Sequence, residues 1–490
     1  MKSVVVGSGF SGMVSSALIA ADGHQVTLIE KNEMCGGRAR KFEADGFTFD
    51  MGPSWYWMPD VFERYFNYFG KKTEDLYDLR RLDPGFKIFF ENDAINIPDS
   101  DKDLKELFES LEPGSSKKLE AFMADGEFKY DVGVKDIIYR QPNGIWPFID
   151  WKIIKSASGL HLFKSISKHI RKYFKHPYLI QLMEFPVLFL GADPKNTPAL
   201  YSMMDYAGLR LGTWYPMGGF VKIAEAFESV AREQGVEIML NEEVKQFEYG
   251  SNKILAANTE NNTYGADAFV IAADYQHFDS VVLNKDKKQY KESYWDSRTM
   301  APSAFLYYVG YKGELPNLEH HNLFFDTDFD QHSKAIYETE SFPKDPQFYV
   351  SCSSKTDPSV APEGHENLVI LIPIASGING SNDMKEHYFQ LICDRLKAKI
   401  GVDIRENIVY RRDYSVEDFK KDYHAFRGNA YGLANTLLQT AFLKPSMKHK
   451  KLKNTFFTGQ LTVPGPGVPP AIVSGELAAN YVKSYFEKNA

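Results

Sequence analysis

The sequence predicts an α/β fold, with a strand–helix–strand nucleus at the amino end, later segments that complete it, and an α+β region interleaved between them. Three observations predict it. Residues 4 to 12 read VVVGSGFSG, an apolar strand running into glycines at 7, 9 and 12. A helix-like run from Met13 to Ala21 and a second strand, Gln25 to Ile29, ending in Glu30, follow directly. Near the other end, Thr455-Phe456-Phe457 runs into Gly459, then a Pro/Gly loop from Pro464 to Pro470 and a helix from Ala471 to about Tyr485. At 490 residues the chain exceeds what one core layer supports, so two interleaved domains are expected.

The first strand and its glycines form a G-x-G-x-x-G turn, and each glycine has its own task. Gly7 permits the tight turn, Gly9 lets backbone approach a pyrophosphate, and Gly12 lets the helix pack closely on the strand. The helix N-terminus then offers free N–H groups and a positive dipole end to phosphate. Glu30 closes the second strand where a carboxylate accepts hydrogen bonds from ribose hydroxyls. This order of elements is that of a Rossmann-like dinucleotide site.

Directly after Glu30 stands Lys31-Asn32-Glu33-Met34-Cys35-Gly36-Gly37-Arg38. An acid, a short loop and Gly-Gly-Arg resemble the extension of the nucleotide fold in glutathione-reductase-like flavoproteins. Gly36 and Gly37 allow close passage past a cofactor, and Arg38 offers a fork of donors to phosphate. The chain holds no second G-x-G-x-x-G. One FAD is therefore expected, on a Rossmann-like FAD-binding domain of the glutathione-reductase type with an interleaved α+β substrate domain.

The nucleotide domain is expected in three pieces, residues 1–80, 215–280 and 450–490. The middle piece starts at Tyr215-Pro216-Met217-Gly218-Gly219. It continues through a helix, Val221 to Glu233, a strand with Val236, Ile238 and Leu240, then Asn241-Glu242-Glu243-Val244 and the strand Ala268 to Ala273. Residues 81–214 and 281–449 are left for a substrate-binding, membrane-associating domain. Prolines 469 and 470 suit a helix start. That helix either packs plainly or turns its positive end toward the flavin N1–O2 edge.

Composition narrows the partners. The net charge of −8 makes nucleic acid an unsuitable partner. Cys35, Cys352 and Cys393 are odd in number and lack metal spacing, so they read as reduced thiols with no metal site. The first strand starts too close to Met1 for a cleavable leader. No run approaches the roughly 20 apolar residues that span a bilayer. Phe185 to Ala192 and Val369 to Ala375 read as strand-length core segments. Phe, Tyr and Trp make up 14% of the chain, enough either to line a large apolar cavity or to fill a ring-rich core.

Taken together, these segments resemble bacterial phytoene desaturases of the flavobacterial type, the carotenoid desaturase family of the flavin amine oxidase superfamily. The resemblance rests on Val4 to Gly12, Glu30 to Arg38, Asp45 to Ser54, Trp55 to Pro59, Phe185 to Gly191, Tyr215 to Gly219 and Gly459 to Gly475. It implies FAD contacts at Gly7, Gly9, Gly12, Glu30, Gly37, Arg38, Gly52, Val244, Gly459, Gly467 and Val468, with Val244 holding adenine through its backbone. Two positions depart from the family pattern: Met217 stands where many relatives carry a base, and Gln460 where many carry an acid. The resemblance further implies hydride transfer from an allylic C–H of a C40 carotene to flavin N5, with loss of an adjacent proton. Oxygen or a quinone would take the electrons. Glu184, Asp193 and Asp205 are candidate bases, none of them singled out.

From Trp151 to Met183 there is no acidic residue, while Lys152, Lys155, Lys164, Lys168, Arg171, Lys172 and Lys175 are basic. Phe163, Ile166, Ile170, Tyr173 and Phe174 follow helical spacing, with Trp146, Phe148 and Trp151 just upstream. The pattern predicts an amphipathic helix on an anionic membrane surface or, equally by pattern, a solvated helix on the core. Lys444, Lys448, Lys450, Lys451 and Lys453 form a second, weaker cluster. The expected location is cytoplasmic, peripheral on the inner face of the cell membrane. Competing activities are 3,4-desaturation of a 1-hydroxycarotenoid, carotene isomerisation and flavin amine oxidation; a competing class is a prenyl-lipid-binding escort module. All flavin readings require that the two terminal glycine turns meet around one cofactor beside an apolar channel.

Overall fold

The computed structural model describes residues 1–141, 164–436, 439–440 and 443–489. Five parallel strands form the nucleotide sheet, in the order Thr455–Phe457, Ala268–Ile271, Lys2–Val6, Gln25–Ile29 and Glu237–Met239. The central strand is buried along Ser3–Val6, as a parallel strand covered on both faces must be. Helix Phe10–Ala21 follows it and is buried over almost its whole length. The reason is its position between helix Val221–Glu233 and the C-terminal helix Val468–Asn489. The latter crossing is tight: a Cβ on Gly475 would lie 2.6 Å from Ser11 O and 2.8 Å from Val14 Cβ. A small antiparallel sheet, Gln246–Tyr249, Ile254–Asn258 and Thr263–Gly265, packs at the side.

The second large sheet has seven strands, in the order Ile408–Tyr414, Ser303–Lys312, His365–Ile374, Phe348–Ser351, His321–Phe324, Phe86–Phe89 and Ala94–Ile97. Ser303–Lys312 pairs antiparallel with His365–Ile374 along its full length. Helix Asn382–Ile400 covers one face of this sheet over a core of Phe305, Ile370, Ile372, Phe389 and Leu396. On the other face Leu323, Tyr349, Leu371 and Pro373 line a cavity whose further walls include Gly133, Val134, Met203 and Met204.

Two sequence expectations change here. Phe185–Leu190 is a 3₁₀ turn rather than a strand. Pro186 lacks the N–H that a strand ladder needs, while its fixed φ suits a helical turn. Helix Ile166–Tyr173 does form, but Ile166, Ile170 and the following Phe174 are each fully buried. Its apolar side is core. Only Lys168, Arg171, Lys172 and Lys175 face water, and Trp146, Phe148, Trp151, Lys152, Lys155 and Phe163 lie outside the described residues. No helix among the described residues is long and apolar enough to cross a membrane.

Candidate functional site

The three glycines of the first turn do different jobs, and their surroundings show which. Gly7 has φ +99°, and a Cβ there would press on Ala272 and Ala273 backbone at 3.0–3.2 Å. A Cβ on Gly12 would sit 1.9 Å from Gly7 O, so no larger residue lets the helix leave the strand this closely. Gly9 is the opposite case: nothing lies within 4 Å of the position its Cβ would take. That open space, over the N-terminus of helix Phe10–Ala21, is where an anionic group finds N–H donors.

Glu30 is buried at the end of the second strand. Its Oε2 accepts from the Ser8 N–H and Oγ–H, both at 2.8 Å, and its Oε1 from the Asn32 N–H and side-chain amide. The two backbone donors fix the carboxylate, while the two side-chain donors are free to exchange for ribose hydroxyls. The chain then turns back through Gly36 and Gly37, both at positive φ. A Cβ on Gly37 would lie 3.1 Å from Gly9 Cα, so the Gly-Gly pair brings this loop onto the first turn.

Arg38 reaches into the same cavity. One Nη donates to Asn429 O at 3.3 Å, its guanidinium lies 4.9 Å from the Tyr423 ring centroid, and its buried Nε has no partner. Loss of water lowers its pKa, partly offset by Tyr423 and Asp274. A cation held with spare donors beside an open glycine turn suits a pyrophosphate. The residues present therefore fit a dinucleotide.

Gly52, Val244, Gly459, Gly467 and Val468 line the same trough as Gly7, Gly9, Glu30, Gly37 and Arg38, while Gly12 supports it from behind. A Cβ on Gly52 would meet Arg38 O at 2.4 Å, and one on Gly459 would meet Ser11 Oγ at 3.4 Å. The two terminal turns thus meet. Pro469 and Pro470 lack N–H groups, which leaves the Val468 N–H as the donor at the tip of the C-terminal helix. Gln460 bonds Asn429 Oδ1 at 3.3 Å, and so joins the residue that also receives Arg38. Met217 N–H bonds Asp78 O in the ribbon leading to the site.

Residues without a sequence motif complete the trough. Tyr423 and His424 arrive from the chain after strand Ile408–Tyr414, and His424 stacks on His277 at 4.0 Å while pairing with Glu243 at 2.7 Å. Burial, with the neighbouring His424, pushes His277 down to about 4. Nothing in the local sequence around residues 423–431 announces these roles, because the contacts span over 100 residues of chain.

A second, strongly apolar cavity meets the trough, and Gly52, Pro53, Leu371, Tyr431, Gly467 and Val468 line both. Its walls include Trp55, Trp57, Phe185, Met203, Phe325 and Tyr349. Trp55 stacks on His321 at 4.1 Å, and Tyr349 Oη bonds both His321 Nδ1 at 2.6 Å and Ser54 Oγ at 3.0 Å. Burial pushes His321 well below its ordinary value, so the ring is neutral. His332 and Gln347 line the cavity too, but they bond each other and the carbonyls of Pro373 and Thr327. These mostly apolar walls offer a ligand shape more than charge.

The three candidate acids stand apart from the junction. Glu184 pairs with Arg171, and both line a smaller neighbouring cavity. Asp193 accepts from Lys195 N and from Ser333 Oγ. Asp205 is fully buried, and burial holds its carboxyl far above the usual range, in the neutral form. Lys444 also departs from expectation: it is buried rather than part of a surface cluster.

A glycine-built dinucleotide trough opening into an apolar chamber defines a flavoprotein oxidoreductase. Residues 10–483 match the family model for flavin-containing amine oxidoreductases. The chain is 40% identical over 477 residues to a carotenoid 3,4-desaturase from Haloarcula japonica, covering 97% of this chain and 96% of that one. It is 31% identical to a 4,4'-diapophytoene desaturase (4,4'-diaponeurosporene-forming) from Staphylococcus aureus, covering 98% of each. Among solved structures it resembles an oxidoreductase from Methanosarcina mazei (TM-score 0.64, 16% identity, 99% and 100% coverage). It also resembles cyclohexylamine oxidase from Brevibacterium oxydans (TM-score 0.60, 14% identity, 99% of each chain), a likeness of fold alone. The chain belongs to the flavin-containing amine oxidoreductase family, in its carotenoid desaturase branch. It is an FAD-dependent enzyme, which sets aside the escort-module alternative.

Proposed function

We propose that the protein desaturates an acyclic C40 carotenoid, introducing a double bond next to the existing polyene. One observation carries this reading: a mostly apolar chamber opens onto the cofactor trough at Gly52, Pro53, Leu371, Tyr431, Gly467 and Val468. FAD, when bound, supplies the hydride acceptor. The chain's residues do the rest. Gly7, Gly9, Gly12 and Gly37 shape the cradle, Arg38 and the helix N-terminus hold the pyrophosphate, Glu30 the ribose and Val244 the adenine. Gly52, Gly459, Gly467 and Val468 border the ring end. The aromatic walls hold an apolar chain by shape and keep its reacting carbons dry. No carboxylate is needed at the junction, because an allylic cation is strongly acidic.

Phytoene, carried toward lycopene, is the substrate the sequence resemblance favours. A second reading, 3,4-desaturation near the end of the chain, is supported by the 40% identity to the Haloarcula relative. Expression in hosts accumulating phytoene or lycopene tests both: a red-shifted pigment from one precursor identifies the bond class. Unchanged pigment in both hosts and in one accumulating a 1-hydroxycarotene, or peroxide release with simple amines, would sink the proposal. An isomerase would shift the absorption barely at all.

The mouth of the chamber supports a peripheral membrane location. A smaller cavity shares Phe185, Leu188, Phe325, Phe329 and Gln347 with the main one and reaches Arg171. Lys168, Lys172 and Lys175, close to Arg171 in sequence, are exposed, and bases near anionic lipid each contribute about 1 kcal/mol. On this reading the enzyme sits on the inner face of the cell membrane, takes substrate from the bilayer, and passes electrons to oxygen or a quinone.

A further inference from the structure

Carotenoid desaturation takes a hydride from one carbon and a proton from its neighbour. Glu184, Asp193 and Asp205 line neither the chamber nor the trough, so none of them is placed to receive that proton. A chain of hydroxyls is. Ser54 and Tyr349 both line the chamber. Ser54 is two residues from Gly52, which borders chamber and trough alike, so their Cα atoms are at most about 7 Å apart. Ser54 Oγ lies 3.0 Å from Tyr349 Oη, and Tyr349 Oη lies 2.6 Å from His321 Nδ1. His321 is fully buried, and its Nε2 has no partner.

This arrangement is more than packing requires. An apolar side chain at 321 would strand no ring nitrogen, and a stranded polar group costs about 1–3 kcal/mol. It does suit a proton acceptor. The buried ring is neutral, so one of its nitrogens is open. With the hydrogen on Nε2, Tyr349 O–H donates to Nδ1 and Ser54 O–H to Tyr349 Oη. A lone pair of Ser54 is then left for the chamber. The ring is also prepared for charge. Trp55 stacks on it at 4.1 Å with planes 9° apart, and an indole face is the best aromatic partner for a cation. Weak basicity is no obstacle, because an allylic cation is far more acidic than an imidazolium.

We propose that Ser54, Tyr349 and His321 form a relay that takes up the proton lost from the carotenoid during desaturation. The proposal rests on the carotenoid desaturase reading and supplies its proton acceptor. The hydride leaves for FAD, the oxidant. The C–H bond on the neighbouring carbon breaks, and its electron pair becomes the new double bond. The proton goes to Ser54 Oγ as the serine's own hydrogen moves to Tyr349 Oη and the tyrosine's to His321 Nδ1. Ser54 and Tyr349 end unchanged, and His321 ends as an imidazolium stacked on Trp55. That proton departs with the electrons, since oxygen or a quinone takes up protons as it is reduced. Ser54 is the catalytic residue of the relay; Tyr349 and His321 act through it.

The test uses FAD-loaded protein in phosphatidylcholine vesicles with three probes: phytoene, lycopene and 1-hydroxylycopene. On whichever probe the wild type desaturates, Ser54→Ala, Tyr349→Phe and His321→Asn should each lower kcat by about 100-fold or more, with KM little changed. Asn keeps a carbonyl that accepts from Tyr349 but cannot hold the proton, so it would replace a merely structural histidine without loss. Deuterium on the carbon that loses the proton should slow the variants more than the wild type, because proton loss becomes limiting. The flavin absorption spectrum reports whether each variant keeps its fold. Histidine NMR with 15N label gives a readout independent of turnover: the signal that Tyr349→Phe shifts should come from an unprotonated Nδ1. Full kcat in Tyr349→Phe or His321→Asn would overturn the relay, as would an unchanged deuterium effect or a protonated Nδ1 in the resting enzyme. Ser54→Ala and Tyr349→Phe, each short of one oxygen, decide the matter even if His321→Asn fails to fold. Turnover of no probe by the wild type would instead bring down the carotenoid reading, and the relay with it.

Discussion

At the scale of single residues, Arg38 and Lys444 break the rule that buried polar groups are paired. Arg38 keeps a buried donor unpaired beside the glycine turn, and Lys444 keeps a whole amine unpaired. Burial pushes Lys444 down to about 7 from an ordinary value near 10.5. The folded state therefore binds this proton more weakly than the unfolded state does. Stability contributed at this site rises as pH climbs from about 7 to about 10.5, and the penalty is full below pH 7. Replacing the residue removes that penalty. Lys444→Met should thus raise stability at pH 7 by at most about 4 kcal/mol, seen as a higher melting temperature, and the gain should fall below about 1 kcal/mol by pH 10. Thermal unfolding of both proteins across pH 6 to 10 measures it; a difference that stays constant with pH would contradict the burial of an ionisable amine. The sequence hid this residue because Lys444 opens a run of lysines that reads as a wet surface, and only tertiary packing turns it inward.

At the scale of elements, legibility depended on whether several local rules agreed. In the amino-terminal unit the strand, the glycine spacing, the helix and the closing acid all point one way, so the strand–helix–strand unit that starts at Lys2–Val6 is legible in the sequence. Helix Ile166–Tyr173 shows the converse. Its apolar stripe has the same period whether it meets lipid or core, and the structure spends that stripe on Phe122 and Phe108 beneath Phe174. The two faces should therefore separate by experiment. Ile170→Ala, which empties a fully buried site, should cost about 2–4 kcal/mol of stability without altering affinity for anionic vesicles. Lys168→Glu with Lys172→Glu should leave the melting temperature within a degree or two while weakening vesicle binding at least tenfold. Release of Ile170→Ala from vesicles at unchanged stability would return the stripe to the membrane. Phe185–Leu190 was illegible for a simpler reason: an apolar run of six fits a strand as well as a turn until Pro186 is weighed.

At the scale of the whole molecule, the cofactor trough is closed by a part of the chain that no nucleotide motif includes. Helix Val416–Tyr423 and His424 follow strand Ile408–Tyr414 of the seven-stranded sheet and line the trough together with Glu30 and Val244. Four contacts tie them down: Lys31 Nζ to Lys421 O at 2.7 Å, Arg40 to Asp422 at 3.1 Å, His424 to Glu243 at 2.7 Å, and Arg38 over Tyr423. Of these, Arg40 is the most secluded, with 6% of its side chain exposed against 22% for Asp422. If this strap must lift for FAD to leave, cofactor retention and the strap's contacts are one equilibrium. Breaking a partly buried pair leaves an uncompensated charge and costs about 1–2 kcal/mol here, less than the fully buried case. Since 1.4 kcal/mol is a factor of ten, Arg40→Met should release FAD roughly tenfold faster on dilution, with the trough residues themselves untouched. Flavin fluorescence recovered over time after gel filtration reads that rate. If the variant loses stability equally with and without FAD, and holds the cofactor as long as the wild type, then the strap is packing only and the two regions do not open around the flavin.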